Sequence, residues 1–186
     1  DALPISIILM VIALIFRGVA FEFRFKANRT KYLWDQAFIW GSILSSFLQG
    51  VILGAYIQGI QTTNGIFSGS GLDWFTPFSL FTGLGVVAMY AALGCGWLIM
   101  KTDHELQAKM YGLMPKLIIV LFIIFAGVSL YTPLTHPEIA ARWFALPNLL
   151  YFSPVPILVL LFTFLILKAC KQRQDFKPFI YTLALV

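Results

Sequence analysis

Apolar runs of membrane-crossing length leave this chain little choice of fold. Five of them, at about residues 3–23, 38–60, 77–100, 114–130 and 149–167, hold almost no charge. A helix rises 1.5 Å per residue, so ~20 apolar residues cross ~30 Å of hydrocarbon, and tilt accommodates longer runs. Lipid offers the backbone no hydrogen bonds, and a helix satisfies its own. The sequence therefore predicts an all-α integral membrane protein. It would be a polytopic helical bundle with five full transmembrane helices and the start of a sixth near Pro178. Composition agrees: 60% of residues are hydrophobic and 11% charged, against ~45–50% and ~25% in soluble domains. Residues 1–186 read as a single transmembrane domain. Asp1 in place of an initiator Met, and a last run of half a span from Phe179 to Val186, read as a fragment of a longer polypeptide.

The basic residues fix an expected orientation. Of thirteen Lys and Arg, eleven fall in alternate loops: Arg24, Lys26, Arg29 and Lys31; Lys101, Lys109 and Lys116; Lys168, Lys171, Arg173 and Lys177. Positively charged loops stay in the cytoplasm. Loops 24–37, 101–116 and 168–177 are therefore expected there, with Asp1 on the outer side. The net charge of +5 is explained by this topology, so it gives no reason to expect nucleic acid as a partner.

Arg17 breaks the pattern. It lies seven residues before Arg24, roughly 10 Å deeper along a helix. A charge at such depth costs about 2.5–3.5 kcal/mol on insertion scales and normally has a partner. Its helical neighbours Ala13, Leu14, Ala20 and Phe21 are all uncharged, and Glu22 points about 140° away. The other apolar runs contain no Asp or Glu. The counter-charge is thus expected on another subunit, on a segment outside this sequence or on an anionic cofactor. The competing reading is that Arg17 snorkels to the headgroups. Glu22 also carries two readings. One is a surface ion pair with Lys26 at i+4, and the other a proton-entry carboxylate.

Other polar residues have simpler expectations. Ser42, Ser46, Gly50 and Gly54 recur every four residues and predict a helix-packing seam. Gln49 and Gln58 need partners at membrane depth; a helix–helix hydrogen bond and a quinone or proton contact are the alternatives. Asp35 is placed to cap the second helix, with Trp34 as an interfacial anchor. The Gly/Ser-rich stretch from Asn64 to Gly71 reads as turns, and Asp73-Trp74 before Pro77 as an interfacial rim. The third helix is expected to continue through Lys101–Gln107. Thr135 and Glu138 have capping-box spacing around Pro137 and predict a short surface helix. Ser153 and Pro154 suit the start of the fifth full span.

Redox and hydrolytic chemistry are missing from the motifs. The chain has two histidines, His104 and His136, both between spans, so no span supplies a His ligand for haem. Cys95 and Cys170 belong to no C-x-x-C pattern and read as buried or interfacial free thiols. No phosphate loop, HExxH or paired-carboxylate motif occurs, and no metal site is expected.

The run Phe16-Arg17-Gly18-Val19-Ala20-Phe21-Glu22-Phe23-Arg24 resembles subunit II of the cytochrome bd quinol oxidases. Trp34-Asp35, Phe47–Gly54, Thr76-Pro77-Phe78, Gly83-Leu84, Lys101-Thr102 with Glu105-Leu106, and Phe152–Pro156 extend the likeness over essentially the whole chain. The family's first two helices and its final helices have no counterpart in this sequence. The resemblance implies an accessory subunit in a heterodimer with subunit I, in a prokaryotic cytoplasmic membrane. Subunit I would carry haems b and d and the quinol site, and the complex would oxidise quinol, reduce oxygen to water and build a proton gradient. A quinone on the present chain is left open. The residue matching Glu22 lies on a suggested cytoplasmic proton route, and the one matching Arg17 near the subunit interface and haem region. The alternative is a fragment of a secondary transporter, but no internal repeat or mid-span helix break supports it.

Overall fold

In the computed structural model, residues 2–59, 62–63, 66–67, 72, 74–135, 137–145 and 147–186 are described. Among the described residues the chain is mostly helical, with two two-residue strands. Among the described residues five helices are long and apolar enough to cross a membrane. They are α1 (Ala2–Lys26), α2 (Lys31–Gln58), α3 (Pro77–Lys101), α4 (His104–Thr135) and α7 (Pro154–Lys171), the last span counted from Asn148. Two short helices, α5 (Pro137–Phe144) and α6 (Asn148–Phe152), join α4 to α7, and the nine-residue α8 (Lys177–Leu185) is present where a helix is expected from near Pro178. Strands β1 (Thr62–Thr63) and β2 (Ile66–Phe67) pair antiparallel, with Thr62 opposite Phe67. The turn expected at Asn64-Gly65, residues 68–71 and Asp73 lie outside the described residues.

The chain divides into two compact units, residues 1–87 and 88–186, with α3 contributing to both. In the first unit, α1 and α2 form an antiparallel hairpin closed at Gly41. A Cβ there would meet the Ala13 carbonyl oxygen at 2.9 Å and the Arg17 amide nitrogen at 3.2 Å, so only glycine lets the backbones approach this closely. Gly50 and Gly54 do the same for the first half of α3. Their missing side chains face Thr82, Gly83 and Ser79, and Thr82 Oγ1 donates to the Gly50 carbonyl at 3.0 Å. Beside this seam, Leu48, Val51, Ala55 and Trp74 form a buried core. Ser42 and Ser46 turn their hydroxyls back onto α2, to the carbonyls of Phe38 (2.7 Å) and Ser42 (2.9 Å). That bonding satisfies them inside one helix.

The second unit packs around Ala92, Cys95, Ile99, Met114, Ile118, Ile166 and Cys170, drawn from α3, α4 and α7. Both cysteines are buried free thiols. At the lysine-rich end, Asp175 accepts from Tyr111 Oη (2.9 Å) and Gln107 Nε2 (3.1 Å), fastening the α7–α8 turn to α4.

Several helix boundaries differ from expectation for local reasons. Helix α3 stops at Lys101, and His104 adopts a left-handed φ of 60°, so the polar segment 104–107 opens α4 instead of extending α3. Helix α4 therefore begins ten residues before its apolar run. An i,i+4 pair between Glu105 and Lys109 (2.6 Å) supports that polar turn. Helix α2 starts at Lys31 with Thr30 in the cap position, so Asp35 is not a cap. Ser153 precedes Pro154 as expected, yet its hydroxyl bonds the Leu150 carbonyl (3.1 Å) and gives no side-chain cap. Thr135 likewise bonds back to the Tyr131 carbonyl (3.0 Å) within α4. The short helix expected after it is present as α5, while His136 and the Glu138 side chain lie outside what is described.

Candidate functional site

The charged residues singled out in the sequence gather at the closed end of the α1–α2 hairpin. The connection between the two helices is only residues 27–30, so the end of α1 and the start of α2 must lie side by side. The Arg24 guanidinium forms an ion pair with the Asp35 carboxylate across this junction. Asp35 thus serves a cross-helix pairing in the second turn of α2. Phe23 and Trp34 reinforce the contact, with ring centroids 5.1 Å apart, so Trp34 packs on α1. Beside the ion pair, Ala20, Phe21, Arg24, Phe25, Asp35 and Phe38 line a groove of about 270 Å³.

Arg17 lies one level deeper. Its guanidinium carbon is 5.5 Å from the centroid of the Phe38 ring, a cation–π distance. The ion pairs among the described residues are Arg24–Asp35, Lys26–Glu22 and Lys109–Glu105, and Arg17 takes part in none of them. Its side chain is on the exposed side of α1. Glu22 sits on another face. Its carboxylate is 3.4 Å from Lys26 Nζ and its side chain is 72% exposed. Arg17 and Glu22 share a helix without meeting, and each has its own neighbour.

The glutamines part company. Gln58 Oε1 accepts from Thr76 Oγ1, which ties the end of α2 to the start of α3. Thr76 and Ser79 bond each other's amides reciprocally, at 3.0 and 3.1 Å, and so cap that end of α3. Gln49 lies on the exposed side of α2. Gly41 was not visible as a packing residue, because it is one position off the Ser42–Gly54 stripe.

Among the described residues no three His, Cys, Asp or Glu side chains converge on a point that could hold a metal ion. His104 is exposed in the α3–α4 turn, and His136 lies outside the described residues. The described membrane spans contain no histidine apart from His104 at the exposed start of α4.

The subunit II model of the cytochrome bd terminal oxidases matches residues 1–186. The chain belongs to that family. A Haemophilus influenzae protein described as probable cytochrome oxidase subunit 2 is 28% identical over 139 residues. That match covers 69% of this chain and 36% of the relative, so the chain spans about a third of that protein's length. The α1 run from Phe16 to Arg24 carries Arg17 and Glu22 on different faces of the helix and ends at Arg24.

Proposed function

We infer that this chain is the accessory membrane subunit of a bd-type quinol:oxygen oxidoreductase. It packs against a haem-bearing subunit I and helps conduct protons from the cytoplasm for reduction of oxygen to water. The carrying observation is the family match across residues 1–186, which also removes the ground for a transporter fragment. The exposed Arg17 supports the pairing with subunit I. A guanidinium at membrane depth that meets an aromatic ring and no carboxylate among the described residues is suited to an anionic group on a neighbour. Haems b and d belong on the partner, in keeping with the lack of histidine in the spans of this chain. Loops 24–37, 101–116 and 168–177 face the cytoplasm by their Lys and Arg content.

Glu22 is the proton-entry group in this reading. It lies near the basic end of α1, where its exposed carboxylate can take a proton from water. Its ion pair with Lys26 is a surface pair of at most a few tenths of a kcal/mol, so it leaves the carboxylate open to water. Glu22→Gln keeps the size and hydrogen bonding but cannot carry the proton, while Glu22→Asp keeps the chemistry on a shorter arm. Gln is expected to slow quinol-driven oxygen consumption about tenfold, with haem content unchanged. That is less than the ~10²–10⁴ lost when a proton-transfer group is removed at a reacting centre. Asp and Lys26→Ala are expected to stay near the wild-type rate. A Glu22→Gln enzyme at full rate across pH would reduce Glu22 to half of a surface pair.

A further inference from the structure

We propose that α5 is an interfacial helix that lies in the phospholipid headgroup layer and rests its apolar side on the acyl boundary. Helix α4 leaves the end of the second unit marked by Lys109, and α7 returns to the end marked by Lys168 and Lys171. The connecting segment therefore emerges at the opposite membrane face. Its length holds it there. Only residue 136 separates α4 from α5, and residues 145–147 separate α5 from the span beginning at Asn148. Three residues reach at most about 11 Å when extended. Helix α5 is thus tethered within about 11 Å of a membrane-crossing helix at each end.

Its residue pattern suits that place. At 100° per residue, Ile139 and Trp143 share one side of the helix, Ala140 and Phe144 continue the same apolar arc, and Arg142 falls outside it. The inner part of this arc is half-buried, with the Trp143 ring 6.3 Å from that of Phe152. The described residues leave the outer part uncovered: Phe144 is 65% exposed, and Leu134, in the last turn of α4, is 82% exposed. Amphipathic helices with a broad apolar side, a tryptophan and an arginine on the polar edge lie in the membrane interface. Arg142 is exposed, and its cationic head complements lipid phosphates. Asn148 Nδ2 donates to the Arg142 carbonyl at 3.0 Å, which holds the end of α5 close to the start of the next span. Lipid, continuous with that around α4 and α7, is the occupant these observations select. The proposal depends on the membrane-spanning helices and not on the oxidase reading.

The test places a nitroxide at Phe144→Cys, at Leu134→Cys and at Arg142→Cys in the whole complex, reconstituted in phospholipid nanodiscs. Cys95 and Cys170 are buried, and protein without an introduced cysteine supplies their background. Collision with oxygen, which concentrates in lipid, is compared with collision with a water-soluble nickel chelate. The ratio of oxygen to nickel accessibility should be several-fold higher at 144 and 134 than at 142. A nickel-dominated signal at 144 would put α5 in water, and shielding of 144 from both reagents would put it under a protein partner. Either result overturns the proposal. Leu134, on α4, calibrates the lipid-facing signal, and a nitroxide at Ala140→Cys, on the same arc of α5 as Phe144, gives the second reading of α5 if the 144 variant does not fold.

Discussion

Gly54→Leu is expected to separate α2 from α3 and to leave little folded protein. Even a single Cβ at position 54 would run into Thr82 Oγ1 and lie 2.7 Å from Ser79 Cα, a backbone atom that cannot swing away. Thr82 could turn aside only by giving up its bonds to the carbonyls of Gly50 (3.0 Å) and Ser79 (2.8 Å). Overpacking of this kind costs about 1–3 kcal/mol for small additions, and a leucine adds three more carbons than alanine. Gly54→Ala should therefore lower the thermal midpoint of the detergent-solubilised protein clearly, and Gly54→Leu should abolish its recovery. Gly94→Ala is the control, because nothing lies within 4 Å of the place its Cβ would take. It should be neutral or slightly stabilising, by up to about 1 kcal/mol of helix propensity. Equal losses at 54 and 94 would mean that the α2–α3 seam is looser than described.

Arg17→Leu should insert normally and fail at assembly. The change removes an insertion penalty of about 2.5–3.5 kcal/mol, so membrane levels of the free subunit should hold or rise. If the guanidinium meets a buried anionic group on subunit I, its loss strands that group at a cost of about 3–5 kcal/mol. Recovery of haem-loaded complex would then fall by about 10²-fold or more. Arg17→Lys should rescue it partly, because lysine keeps the charge without the planar fork. Phe38→Leu separates the intrachain role from the interchain one. It removes only the cation–π contact, worth about 0.5–2 kcal/mol. If the Arg17 and Phe38 variants lose the same small amount of complex, Arg17 has no anionic partner and merely rests on the ring.

Much of this architecture could be read from residues because the bilayer imposes a length on every span. The apolar runs located α1, α2, α3, α4 and α7, and Pro137 and Pro154 marked the first positions of α5 and α7. What escaped was polar helix outside the hydrocarbon, which hydropathy does not register. Residues 104–113 were missed as part of α4 for that reason, as was the first turn of α2 before Asp35. Cross-helix partners escaped too, since they depend on register. Asp35 reads as a cap until the short 27–30 connection brings it opposite Arg24. Gly41 reads as an isolated glycine until α1 lies against it. Arg17 and Glu22 were legible as charges out of place. Their placement on separate faces of α1 followed from the five-residue spacing, and the ring of Phe38 under Arg17 did not.

One spectrum tests whether this chain works as the haem-free subunit of a bd-type oxidase. The native complex is captured in mild detergent through a tag on this subunit, and its reduced-minus-oxidised optical spectrum is recorded. Absorbance from both b- and d-type haem is expected, together with a co-purifying second membrane subunit, and haem should be lost when that subunit is stripped away. Well-folded protein that carries no haem from active membranes, or that keeps its haem after the partner is removed, would contradict the account.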